Sequence, residues 1–172
     1  METLVWLIEA PDSEKVGINI SGDGGTFKRI CTKLCTGGGK TTVMAMLIAW
    51  MICNKVTYPQ DKRFTKSILI VAPGLTLKSR LQVLLTGGDS NYYTQFNIVP
   101  FGMLDKLRQG KVMIINWQAM AWETEEQKDA EQEATIWVSG LDRINNARGI
   151  LSSYDFSATL FVPSGKKNDE DF

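Results

Sequence analysis

The chain has 172 residues, 44% of them apolar, which suits one domain with an ordinary buried core. It contains no histidine, which excludes Ser-His-Asp and Cys-His catalysis, and its three cysteines alone do not form the usual zinc-binding spacings. The net charge is zero, but residues 1–122 carry 14 Lys/Arg against 8 Asp/Glu and residues 123–172 carry 5 against 11, so the first part is basic and the last part acidic.

The first ten residues, METLVWLIEA, do not form an export signal, because the apolar core is short and has an acidic Glu2 in place of a basic flank. The longest apolar run, residues 43–53, is shorter than the ~18 residues that a membrane span needs. The odd number of cysteines suits a reducing cytosol, and we expect Cys31, Cys35 and Cys53 to be buried as small apolar side chains. The sequence therefore predicts a cytoplasmic protein without a membrane partner.

Strand-like and helix-like segments alternate along the chain. Short runs rich in β-formers predict strands at RICTKLC (29–35), SILIVAPG (67–74), KVMIINW (111–117) and YDFSATLF (154–161). Helical spacing predicts helices at TTVMAMLIAWMICNKV (41–56) and LTLKSRLQVLL (75–85). Residues 57–66 and 86–102 are predicted loops, and the acidic residues 123–137 predict the start of an exposed helix. Continuous apolar strands separated by helices predict an α/β fold with a mainly parallel sheet covered by helices on both faces.

Three glycines stand between the first strand and the first long helix. A loop in this position presents backbone N–H groups and the positive end of the helix dipole, which favour a phosphate. Gly37, Gly38 and Gly39 would allow a phosphate to approach the backbone closely, Lys40 would neutralise its charge, and the Thr41 hydroxyl could bind magnesium. The pattern therefore predicts a nucleotide site.

The general phosphate-loop pattern G-x-x-x-x-G-K-[ST] requires glycine at position 34, which is leucine here. CTGGGKT (35–41) instead resembles motif I of superfamily-two helicases and translocases. ILIVAPGLTLKSR (68–80) resembles motif Ia, VMIINWQAM (112–120) a later strand near the nucleic acid, and Ser-Ala-Thr (157–159) motif III. The ordered set, with GDGG, NYY and GLDRINNARGIL elsewhere, is most similar to the Res subunit of type III restriction enzymes and related DEAD/DEAH-like proteins.

This resemblance implies that residues 1–172 form a single partial RecA-like P-loop lobe that binds ATP and Mg²⁺. The residues that it implies for ATP are Thr36, Gly37, Gly38, Gly39, Lys40 and Thr41, with Thr41 also the magnesium ligand. The residues that it implies for double-stranded DNA are Pro73, Gly74, Lys78, Arg80 and Asn116. Those that would couple the ATP state to DNA binding are Ser157, Ala158 and Thr159. A modification methyltransferase subunit is the implied protein partner.

The chain also departs from that family. Motif II, an Asp-Glu pair that ends an apolar strand and holds magnesium and the attacking water, is missing between the NWQAM and Ser-Ala-Thr segments. The only Asp-Glu dipeptide, Asp169-Glu170, follows motif III in a polar tail, so Glu123 or Glu125 would have to replace the pair. The family's second lobe and nuclease domain are absent from these residues. We therefore expect an incomplete sheet and very slow ATP hydrolysis, with no assigned catalytic residue.

Other interpretations of the same residues remain open. The chain could be a non-catalytic module that binds a nucleotide or a partner protein without turnover, or a small P-loop kinase. The helix predicted at 75–85 could be only a core helix, with Lys78 and Arg80 on its solvent face. Trp117 and Trp122 fit packing better than base stacking, and Ser157 and Thr159 could simply be polar residues at a strand end.

Overall fold

The computed structural model describes residues 1–16, 28–116, 118, 144–145 and 149–157. The helices are α1 (Glu2–Glu9), α2 (Lys40–Thr57), α3 (Leu75–Arg80), α4 (Tyr92–Gln95) and α5 (Leu104–Leu107). The strands are β1 (Lys28–Lys33), β2 (Ser67–Ala72), β3 (Lys111–Asn116) and β4 (Ser152–Ser157). Short 3₁₀ helices lie at Asp12–Lys15, Leu81–Leu84 and Phe101–Met103. Helices interleaved with strands confirm a mixed α/β fold, and no helix in the described part is both long and apolar enough to cross a membrane.

The four described strands form two separate parallel pairs. Strand β1 pairs with β4, and β2 pairs with β3, each over six residues in register. The parallel pairing confirms the prediction made from the continuous apolar strands. Parallel neighbours need a long crossover connection, and residues 73–110, which contain α3, α4 and α5, form the one between β2 and β3. The described residues do not join the pairs into one sheet. The predicted interval for a motif II strand lies mainly in residues 119–143, outside the described residues.

Helix α2 is the longest element and was predicted at nearly these bounds. It contains neither proline nor glycine over 18 residues, and it ends at Thr57, with Tyr58 as the C-cap residue directly before Pro59, because proline cannot continue the helix. Its buried residues extend from Ala45 to Cys53 and point in several directions around the helix. Both strand pairs therefore pack against it.

The first core cluster fills the space between α2 and the β2–β3 pair. Its buried members are Ala45, Ile48, Ala49, Ile52 and Cys53 of α2, Ile70 and Ala72 of β2, Ile114 of β3, and Leu81, Leu84, Tyr93, Val99 and Leu107 from the connecting segments. The predicted loop at 86–102 therefore contributes to the core. Asn91 caps α4 by accepting a hydrogen bond from the Thr94 N–H at 3.0 Å, and the Tyr93 hydroxyl donates to the Leu84 carbonyl at 2.7 Å.

The second core cluster lies on another side of α2. Leu47, Met51 and Phe64 are its buried members. Half-buried Tyr154 and Phe156 of β4 pack against them, together with Ile68 of β2. Since side chains of both strand pairs contact this cluster, α2 holds the β1–β4 and β2–β3 pairs beside each other.

Three expectations differ from the structure. Only Cys53 is buried, whereas Cys31 and Cys35 are exposed, because they lie on an edge pair and in the loop that follows it. The predicted helix at 75–85 is interrupted: α3 ends at Arg80 and Leu81–Leu84 form a 3₁₀ helix, which turns Leu81 and Leu84 into the core. On the β2–β3 pair, Leu69 is 39% and Met113 63% exposed, so the described helices cover one face of this pair and leave these two residues of the other face open.

Candidate phosphate-binding site

The glycine-rich loop connects the carboxyl end of β1 to the first residue of α2. Gly37 has φ of 79° and Gly39 has φ of 76°, in the left-handed region that glycine adopts without steric cost. A Cβ at either position would meet no atom within 4 Å, so the backbone angle and not crowding requires glycine at both. The structure thus gives two of the three glycines a specific conformational role.

Gly38 has a different role within the same loop. Its N–H donates to the Cys35 carbonyl at 3.0 Å, which closes a tight turn. A Cβ at position 38 would lie 2.9 Å from the Cys35 Sγ and 3.1 Å from the Cys35 carbonyl oxygen. The sequence predicts that a phosphate approaches the backbone at Gly38. In the structure, Cys35 of the same loop is the group that lies close to Gly38. In this conformation the Gly38 N–H is occupied by the turn.

Lys40 folds back over the loop that precedes it. Its ammonium Nζ donates to the carbonyls of Leu34 and Cys35, both at 2.8 Å. Both acceptors are neutral, and among the described residues Lys40 has no carboxylate partner. An ammonium in this position can exchange its two carbonyl contacts for a bound anion, which offers full negative charge and hence stronger hydrogen bonds.

The first turn of α2 provides further donors. It contains no acidic residue, and its N-cap, Gly39, has no side chain to accept the N–H groups of the helix end. Uncapped donors at a helix N-terminus, next to a lysine ammonium, are suited to phosphate oxygens. The cluster of residues predicted at 36–41 therefore does lie together around one helix end.

Thr41 is half-buried in the first turn, and its hydroxyl has no hydrogen-bond partner in the described part of the chain. A hydroxyl oxygen suits Mg²⁺, which prefers six oxygen ligands. The described residues contain no group of three or more His, Cys, Asp or Glu that could hold a metal ion. Thr41 fits as one magnesium ligand only, and phosphate and water oxygens would have to supply the others.

The carboxyl end of β4 lies beside this loop. Ser157 is in register with Lys33, the last residue of β1, so it lies at the edge of the β1–β4 pair where the loop begins. The backbone of Ser157 is therefore next to the loop, and its coupling role stays a prediction. Ala158 and Thr159 lie outside the described residues.

The residues predicted to contact DNA lie at the end of the other strand pair. Ala72 is in register with Asn116, so Pro73 and Gly74, which follow β2, lie close to the end of β3. The Asn116 Nδ2 donates to the Gln118 Oε1 at 2.9 Å. Lys78 and Arg80 form the basic last turn of α3, where Lys78 is half-buried and Arg80 exposed. These five residues share one end of the β2–β3 pair.

Sequence reasoning missed the acceptors that position Lys40. In the sequence, Leu34 stands out only because it replaces a glycine of the general pattern, and Cys35 is predicted to be buried. Both act through backbone carbonyls, which every residue has, so no side-chain pattern could have indicated them. The acidic candidates Glu123, Glu125, Asp169 and Glu170, and also Trp117 and Trp122, lie outside the described residues.

Comparisons of this chain with models of protein families, with curated proteins and with solved structures found no match.

Proposed function

We propose that this chain is an ATP- and DNA-binding lobe, RecA-like in fold, of a helicase-like DNA translocase similar to the Res subunit of type III restriction enzymes. The observation that supports this most is Lys40. Its ammonium lies 2.8 Å from two loop carbonyls at the uncapped N-terminus of an 18-residue helix, directly after two left-handed glycines. This arrangement combines a positive charge that has only neutral hydrogen-bond acceptors with uncapped backbone donors of the helix end.

Nucleotide binding follows from those contacts. On ATP binding, the Lys40 ammonium leaves the Leu34 and Cys35 carbonyls and contacts the β and γ phosphates, while N–H groups of the first turn of α2 donate to phosphate oxygens. The Thr41 hydroxyl would supply one ligand to Mg²⁺, and the ion, when bound, would neutralise phosphate charge. Gly37 and Gly39 keep side chains away from the approaching phosphates.

The same proposal assigns DNA to the end of the β2–β3 pair. Lys78 and Arg80 would contact phosphates of double-stranded DNA, and Pro73, Gly74 and Asn116 would lie against the backbone. Ser157, beside the loop, would relay the ATP state together with Ala158 and Thr159. A methyltransferase subunit would supply sequence recognition, as in the family that the sequence resembles.

Binding of a fluorescent ATP analogue with Mg²⁺ tests the proposal. We expect Lys40→Ala to weaken binding about 10- to 100-fold, because a hydrogen bond to a charged group contributes about 1.5–3 kcal/mol. Lys33→Ala is the matched control, because it removes the same charge from an exposed side chain just before the loop, and it should change affinity less than threefold. Equal affinities of Lys40→Ala and the unmodified protein would contradict the proposal.

A second candidate function is that of a module that binds a nucleotide without hydrolysing it. The missing Asp-Glu pair favours this alternative. Without a carboxylate to hold the metal and orient water, bound ATP would persist. Phosphate release measured with and without duplex DNA separates the two functions. Release stimulated by DNA indicates a motor in which another carboxylate, such as Glu123 or Glu125, replaces the pair, whereas tight ATP binding without release indicates the module.

A further inference from the structure

A group of lysines lies at the end of the β2–β3 pair opposite Pro73 and Asn116. We name it the basic end and define it as Lys55, Lys62, Lys66, Lys106 and Lys111. Three hydrogen bonds bring its segments together. The Lys111 N–H donates to the Lys66 carbonyl at 2.7 Å, the Lys106 Nζ to the Thr57 hydroxyl at 3.0 Å, and the Lys55 Nζ to the Asp61 carbonyl at 2.9 Å.

The basic end carries more positive than negative charge. Residues 55–66 and 105–111 together contain seven Lys/Arg and two Asp. Each aspartate pairs with an arginine: Asp61 with Arg63 at 2.7 Å and Asp105 with Arg108 at 3.2 Å. Among the described residues, none of the five lysines forms a salt bridge, although the charge of Lys55 also helps to lower the pKa of Asp61. Where their ammonium groups do form hydrogen bonds, the acceptors are a hydroxyl and a carbonyl, which are neutral.

An exposed aromatic residue, Tyr58, belongs to the same segment as Lys55 and Lys62. Tyr58 follows Thr57, the acceptor of Lys106, and its carbonyl accepts the Asp61 N–H at 3.0 Å in the turn after α2. Its side chain is 60% exposed. Nearby Phe64 and Leu107 are buried in the two core clusters, so Tyr58 is the one large apolar side chain that the two described segments expose.

We infer that the basic end is a binding surface for single-stranded nucleic acid, in which the lysines contact successive phosphates and a base stacks on Tyr58. Cations that track a phosphate backbone beside an aromatic ring are the general features of single-strand binding. An unpaired base can reach an exposed ring, whereas the bases of a duplex are stacked inside it. A membrane surface fits less well, because its binding needs an apolar face and this end exposes one ring.

This surface is separate from both sites of the proposed function. Lys40 and Lys55 lie at opposite ends of α2, whose 18 residues span about 27 Å at ~1.5 Å per residue. Lys66 directly precedes β2, and Lys111 is the first residue of β3. At the other ends of these strands, Pro73 directly follows β2, and Asn116 is the last residue of β3. The inference therefore goes beyond ATP and duplex binding and does not depend on them.

Fluorescence anisotropy of a labelled oligodeoxythymidylate of about 15 nucleotides, with the full chain, tests the surface. We expect Lys66→Gln/Lys111→Gln to weaken binding at least ~10-fold at low salt. It should also reduce the slope of log affinity against log salt by about 1.4, since each lost phosphate contact on a single strand accounts for about 0.7. The control, Lys33→Gln, removes one charge from an exposed side chain at the end of β1, outside the basic end, and should change binding less than ~2-fold, whereas Lys66→Gln and Lys111→Gln alone should each weaken it at least ~3-fold. A loss for Lys33→Gln equal to that of either single variant would show charge without a site and would overturn the inference.

Tyr58 distinguishes base stacking from attraction by charge. Tyr58→Ala should weaken binding of the oligonucleotide about 5- to 100-fold without changing the salt slope, and Tyr58→Phe should retain it, because phenylalanine keeps the ring. No effect of Tyr58→Ala would overturn the inference. The inference would also be overturned if vesicles containing phosphatidylserine bind through Lys66 and Lys111 and the oligonucleotide does not bind. Oligonucleotide binding should persist in Lys40→Ala, so a failure of ATP binding is a separate result.

Discussion

At the scale of single residues, backbone groups determine how several side chains are held. Lys40 is positioned by two carbonyls, and the buried Tyr93 hydroxyl donates to the Leu84 carbonyl. Buried polar groups need such partners, because an unsatisfied hydroxyl in the core costs about 1–3 kcal/mol. A neighbouring side chain can also require a glycine. The backbone at Gly110 lies so close to the Ile52 side chain that no Cβ fits between them.

We predict that Gly110→Ala destabilises the protein. A Cβ at this position would overlap Ile52, lying 2.8 Å from its Cγ1, and overpacking of this kind costs about 1–3 kcal/mol. Urea unfolding measures the change in the free energy of unfolding. Gly102→Ala is the control, since its Cβ would meet no atom within 4 Å, and it should stay within about 0.5 kcal/mol. In the double variant Gly110→Ala/Ile52→Val, the smaller valine should relieve part of the overlap. If the double variant is no more stable than Ile52→Val and Gly110→Ala together predict, overlap with Ile52 does not cause the destabilisation.

We predict an alkaline loss of stability that depends on Tyr93. Burial raises the pKa of Tyr93 well above its ordinary value of about 10. Above pH 10 the unfolded chain releases this proton while the folded protein retains it, so the free energy of unfolding falls as pH rises; below pH 10 the contribution is fully present. Urea unfolding at pH 8 and pH 11 should show a larger decrease for the unmodified protein than for Tyr93→Phe. Equal decreases would show that Tyr93 does not titrate in this way. Tyr154, whose pKa burial also raises, is common to both proteins.

At the scale of elements, the break after α3 shows how tertiary contacts override helical spacing. A single helix over 75–85 would place its five leucines along one face. The structure instead ends α3 at Arg80 and buries Leu81 and Leu84 through a 3₁₀ helix, leaving Leu75 70% exposed. The tighter 3₁₀ geometry rotates successive side chains differently, and burial against α2 and Tyr93 outweighs its poorer hydrogen bonds.

The break can be tested with two leucine substitutions. Leu84→Ala should lower the free energy of unfolding by about 2–5 kcal/mol, because Leu84 is fully buried and alanine leaves a cavity. Leu75→Ala removes the same atoms from an exposed side chain and should change the free energy of unfolding by less than about 0.5 kcal/mol. Chemical denaturation gives both values. Similar costs for the two variants would mean that residues 75–85 form one core helix after all.

At the scale of the whole molecule, α2 is the element that holds the two strand pairs together. The first cluster packs it on β2 and β3, and the second brings in Tyr154 and Phe156 of β4. The apolar run at 43–53 contains seven buried residues of α2, whereas Met46 is exposed. Which strands α2 contacts was not predictable, because the spacing of apolar residues carries no information about distant partners.

Hydrogen exchange can separate the two contributions of α2. Leu47→Ala removes packing only from the second cluster, so amides of β1 and β4 should exchange faster relative to those of β2 and β3. Ile52→Ala removes packing from the first cluster and should accelerate exchange in β2 and β3 more strongly. Mass spectrometry of peptides that cover each strand measures both. The same pattern in the two variants would mean that the strand pairs unfold as one unit.

The sequence by itself determined the α/β class, the parallel strands, helix α2 and the position of the glycine-rich loop, because propensity, hydrophobic pattern and glycine conformation act over a few neighbouring residues. Only the tertiary structure decided that the strands form two pairs, that Tyr93 of a predicted loop is in the core, and that Cys31 and Cys35 are exposed. It also decided which carbonyls hold Lys40 and which lysines meet at the basic end. These features depend on contacts between segments far apart in the chain, and such contacts are set by the packing of the whole fold.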